Sequence, residues 1–127
     1  MSIKVNITVF IFSILYLSCN GDNLDTSPPS VFLTNPTEYI IVSQEFLVTG
    51  IASDNDSIKF VELYIDSLPS GISDTIPPYE FLWNTTVFLD STIHEISLYA
   101  EDLNENGSMS TPIEVLIDNS NSIPQEV

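Results

Sequence analysis

Residues 59–66, KFVELYID, alternate without a break: Val61, Leu63 and Ile65 stand against Glu62, Tyr64 and Asp66. A period of two is the mark of a strand with one face buried and one face wet. The same period recurs outward from this stretch. EFLVTGIASD (45–54) puts Phe46, Val48, Gly50 and Ala52 on one side. YEFLWN (79–84) groups Tyr79, Phe81 and Trp83, and HEISLYAED (94–102) groups Ile96, Leu98 and Ala100. PIEVLID (112–118) groups Ile113, Val115 and Ile117. VFLTNP (31–36) and YIIVS (39–43) are strand-like and split by Asn35-Pro36, while SLPSGISD (67–74) is a turn with a short return. No stretch of useful length after residue 30 carries a helical period. Short strands at regular spacing with turn residues between them predict an all-β antiparallel sandwich of about seven strands over residues 30–119. Trp83, Phe81, Leu63, Val61, Phe46, Ile96 and Leu98 are its expected core. Residues 120–127 are expected to be a loose tail.

Composition narrows the function. The chain of 127 residues carries 18 acids against 2 basic residues, a formal net charge of -16. Such a chain repels phosphate backbones and anionic headgroups, so no nucleic-acid partner is expected. A hydrophobic fraction of 43% excludes wholesale disorder. The single cysteine, Cys19, makes no internal disulfide.

The first eighteen residues, MSIKVNITVFIFSILYLS, hold one lysine, no acid and an apolar run from Val5 to Leu17. That is signal-peptide organisation, and the run falls short of the roughly 20 apolar residues a span needs. LYLSC (15–19) resembles the lipoprotein box of bacteria, with small Ser18 before the cysteine and Tyr16 where an aliphatic residue is usual. The resemblance implies a signal peptide over 1–18 and lipidation of Cys19. A short flexible tether over 19–29 follows. The protein is thus expected at the cell envelope, anchored to the membrane as a monomer. Asn20 rather than Asp after the cysteine leans toward the outer membrane by the same resemblance.

Four blocks together, ASDNDSIKFVELYID (52–66), DTIPPYEFLWNTT (74–86), HEISLYAEDLNENG (94–107) and PIEVLIDN (112–119), resemble the bacterial immunoglobulin-like modules of surface proteins and glycoside hydrolase neighbours. The resemblance implies an immunoglobulin-like sandwich serving as a spacer, adhesive unit or polysaccharide-linked accessory. It carries over no catalytic residue. His94, the only histidine, is expected to open a strand in solvent, with Ser91, Ser97 and Glu95 unable to complete a triad around it.

Two constellations remain as candidate sites. If the sandwich order holds, Asp54, Asp56, Glu101, Asp102, Asn104 and Glu105 converge at the pole where the tether enters. Calcium takes six to eight oxygens from such groups, so calcium is the candidate cofactor. Tyr64, Tyr99 and Leu116 fall on solvent-side positions of three strands expected to be neighbours. An aromatic face of that kind stacks on a glycan or docks a protein.

Overall fold

The computed structural model describes residues 23–120. Cys19 and the segments 1–22 and 121–127 lie outside the described residues. Nine strands follow in chain order: β1 (Ser30–Asn35), β2 (Ile40–Val42), β3 (Glu45–Ser53), β4 (Ile58–Ile65), β5 (Leu68–Asp74), β6 (Tyr79–Asn84), β7 (Thr92–Asp102), β8 (Gly107–Met109) and β9 (Ile113–Ile117). They form two sheets, one ordered β1-β3-β6 and the other β2-β9-β7-β4-β5, with β8 also paired to β7. The count exceeds seven: β2 falls within the strand-like YIIVS stretch, whereas β8 is a three-residue piece too short for alternation to register.

The break at Asn35-Pro36 has a topological result. β1 belongs to the smaller sheet, and β2 crosses to the larger one, where it runs parallel to β9 with Ile40 opposite Val115. The remaining ladders are antiparallel. β4 and β5 are joined by Asp66 and Ser67, both at positive φ (53° and 68°). Two left-handed residues between paired Ile65 and Leu68 make the tight turn that suits strand twist. A short 3-10 turn, Thr85–Val87, follows β6, and the Asn84 side chain caps it by accepting from the Thr86 N–H.

The inward residues of the two sheets meet as the alternation requires. Val48, Phe81 and Trp83 come from the smaller sheet. Val61, Leu63, Ile96, Leu98, Val115 and Ile117 come from the larger, and all nine are buried. Each such side chain contributes roughly 1.5–3 kcal/mol. Phe46, at the sheet end, is half-buried against this core. Gly50 is inward and carries no side chain because a Cβ there would stand 2.1 Å from Leu98 Cδ1 and 2.8 Å from the Phe32 carbonyl oxygen.

Candidate functional site

The acidic pole is built from three chain segments. Asp54 starts the loop after β3, Asp102 ends β7, and Asp25 lies in the segment before β1. One carboxylate oxygen from each falls within 4.8 Å of the others. Asp102 is wholly buried. The reason is parity: it shares the inward face with Ile96, Leu98 and Ala100. Its Oδ1 accepts from the N–H of Asn104 (2.7 Å) and of Asn106 (2.9 Å), and its Oδ2 accepts from Asn106 Nδ2 (2.8 Å). Burial pushes this carboxyl up, but the Asn106 side chain and the backbone N–H groups outweigh it and hold the group below its ordinary value.

Asn106 Nδ2 also donates to the Asp25 carbonyl at 3.0 Å, and the Ser108 hydroxyl donates to the Pro29 carbonyl. Residues Asp25 and Pro29, within the stretch expected to be a flexible tether, are therefore fastened to the sandwich. Asp54 Oδ2 accepts from the Asp56 N–H at 3.0 Å. Two oxygens are left over. Asp25 Oδ2 and Asp54 Oδ1 are buried and accept no hydrogen bond from the described residues. Buried carboxylate oxygens are costly without a donor or cation, so this donor set suits a hard divalent ion that takes oxygen ligands.

The expected acidic cluster is thus narrower and partly different. Glu101 faces outward, opposite to Asp102 as strand neighbours must be. It pairs with Lys59 at 3.2 Å and accepts from the Tyr99 hydroxyl at 3.0 Å. Asp56 and Glu105 are exposed, and Asn104 contributes its backbone N–H. Asp25 was missed because no local signal links it to Asn106, 81 positions away. The burial of Asp102 was legible in the alternation of β7.

Of the expected outward stripe, Tyr64 and Tyr99 do meet, with ring centroids 5.6 Å apart, and Phe60 joins them at 6.0 Å from Tyr99. Leu116 does not. It pairs with Ile93, about 20 Å along β7 from Tyr99 at roughly 3.4 Å per residue. Tyr99 lies across β8 at Gly107, where a Cβ would stand 2.1 Å from its hydroxyl oxygen.

His94 is half-buried rather than solvent-exposed, because it shares the inward parity of Ile96. Its ring meets Phe88 edge-on at 4.6 Å. Its Nδ1 lies 2.7 Å from Asp66 Oδ2 and its Nε2 3.0 Å from Thr92 Oγ1. The order resembles a relay, but the Thr92 hydroxyl donates its only proton to the Leu89 carbonyl at 2.5 Å. The line therefore ties the start of β7 to the β4–β5 turn instead of activating an oxygen.

A sandwich of this topology, with its buried Trp83 between the sheets, has a counterpart in sequence. Residues 29–98 match the family model described as bacterial Ig domain. The chain belongs to that family. Two solved structures are similar in fold. A fibronectin(III)-like module of CbhA from Clostridium thermocellum matches with a TM-score of 0.60 at 25% identity, over 72% of this chain and 100% of the module. The endo-beta-1,4-mannanase from Thermotoga petrophila matches with a TM-score of 0.59 at 15% identity over 84% of this chain. The Ig chain spans 23% of that mannanase, and the likeness shows the fold. A search of curated proteins gives no match.

Proposed function

We propose that this chain is a non-catalytic cell-envelope protein, lipid-anchored at Cys19, whose Ig domain acts as a binding or spacer module. Membership of the bacterial Ig domain family is the observation that carries it. The LYLSC box at residues 15–19 supports the anchor. A thioether-linked diacylglycerol contributes about 0.8 kcal/mol per buried methylene, so multiple acyl chains hold firmly. Mass spectrometry of the mature N-terminus tests the anchor. A lipid-modified Cys19 is expected, lost in Cys19→Ala; an unmodified thiol or cleavage elsewhere overturns it.

A second reading is favoured by the unpaired buried oxygens of Asp25 and Asp54. In it, calcium sits among Asp25, Asp54 and Asp102 and stiffens the junction between tether and domain. Monovalent salt screens like charges over about 8–10 Å, whereas a bound divalent ion acts by mass action. At 100 times its dissociation constant calcium adds about 2.7 kcal/mol, or roughly 10–20 °C in melting temperature for a domain of this size. Asp25→Asn with Asp54→Asn removes the calcium-specific shift and leaves the sodium chloride response. Equal shifts from the two salts at matched ionic strength refute this reading.

A further inference from the structure

Among the described residues β5 and β6 are the outermost strands of opposite sheets; they are tied at one end, where the Glu80 N–H donates to Asp74 Oδ2 at 3.0 Å, and part at the other. The opening is a groove of about 430 Å³. Its walls are Ile65, Leu68, Ile72, Trp83, Val87 and Phe88. Leu68 and Val87 at its mouth are 67% and 76% exposed. Trp83, by contrast, is 2% exposed, and its indole Nε1–H is buried without an acceptor among the described residues. A buried donor left unpaired is costly.

The polar rim has one sign. Among the described residues Asp66 lines the groove and no basic residue does. Burial pushes its carboxyl up, but the Glu95 N–H and His94 pull it below its ordinary value, so the groove presents a fixed anion at neutral pH. A net charge of -16 adds attraction for cations over a longer range. Among the described residues no strand pairs with the outer side of β6, an edge of the kind to which an extended chain can add, and the Asp74 carboxylate takes only its Glu80 N–H.

We propose that the groove between β5 and β6 docks an extended segment of a partner protein in which an apolar side chain is flanked by lysine or arginine. The apolar side chain seats between Ile72 and Phe88. The basic side chain pairs with Asp66. This deepens the binding-module reading and is independent of the anchor and of calcium.

Trp83 is the only tryptophan in the chain and lines the groove, so its emission responds to occupancy there. The probe is N-acetyl-Lys-Leu-Lys amide, titrated into the purified full-length protein. Its controls are the Glu-Leu-Glu and Lys-Gly-Lys analogues. A saturable emission change is expected with the first peptide, and binding weaker by about tenfold or more, some 1.4 kcal/mol, with either control. Val87→Arg, at an exposed position that tolerates change, blocks the mouth and weakens the first peptide by a similar factor. Asp66→Asn weakens it while sparing the apolar contribution. Should Asp66→Asn fail to fold, Val87→Arg still decides. No saturable change at millimolar peptide, equal responses to all three peptides, or indifference to Val87→Arg overturns the proposal. An emission change that follows protein concentration without peptide would place a second copy in the groove and overturn it too. Those failures would leave the mass-spectrometric test of the anchor untouched.

Discussion

Gly50→Ala probes the contact between the two sheets with a single methyl group. Gly50 faces inward from β3, between the paired positions Leu33 on β1 and Tyr79 on β6. A Cβ there would stand 2.1 Å from Leu98 Cδ1, 3.6 Å from Leu98 Cγ and 2.8 Å from the Phe32 carbonyl oxygen. The leucine tip can rotate, but the carbonyl belongs to a paired strand and can move only with it. Overpacking of this kind costs about 1–3 kcal/mol. At roughly 4–8 °C per kcal/mol for a domain near this size, the melting temperature falls by about 4–24 °C. Leu98→Ala alone opens a cavity and costs about 2–5 kcal/mol. In that background the closest clash is gone and the new methyl fills part of the void. The double variant is therefore expected to be more stable than the sum of the singles by at least about 1 kcal/mol, within the range of coupling for touching residues. Urea unfolding followed by Trp83 emission measures all three variants. Additive costs would refute the opposition of β3 and β7 across the core, and with it the assignment of inward faces.

Acid should unfold the domain. The carboxyls of Asp66, Asp74, Asp102 and Asp118 all lie below their ordinary value in the fold, so the stability they supply is present above about pH 4 and lost as pH falls through their lower folded values. Melting temperatures measured from pH 6 downward should fall, and a flat profile would contradict the hydrogen bonds described. Thr85→Val should cost about 1–3 kcal/mol, since the buried Thr85 hydroxyl meets both the Gln44 carbonyl (2.9 Å) and Asn119 Oδ1 (2.9 Å); equilibrium unfolding checks this. Gly107→Ala should push the Tyr99 ring aside, visible as a change in the Tyr99 ring resonances by NMR, and unchanged resonances would contradict the contact.

What the residue order determined alone is the part governed by local periodicity. Strand faces follow from alternation, because the backbone itself sends neighbours to opposite sides. Val61 with Leu63, Phe81 with Trp83, and Val115 with Ile117 were assigned inward by that rule and are buried. The same rule, carried two residues past Ala100, places Asp102 inside and Glu101 outside. Applied to β7 it also puts His94 at the core's end rather than in solvent. Register and topology were not available in that way, because they depend on contacts between distant segments. Leu116 falls far from Tyr99 only because β9 pairs with the first half of β7 and β8 with the second. Asp25 joins Asp54 and Asp102 only because Asn106 and Ser108 hold residues 25–29 against the pole. The open side between β5 and β6 likewise exists because each strand ends a different sheet. An acid in a tether and a tryptophan in a strand look the same in sequence whatever closes over them, and the sheet order decides which groups are left without partners.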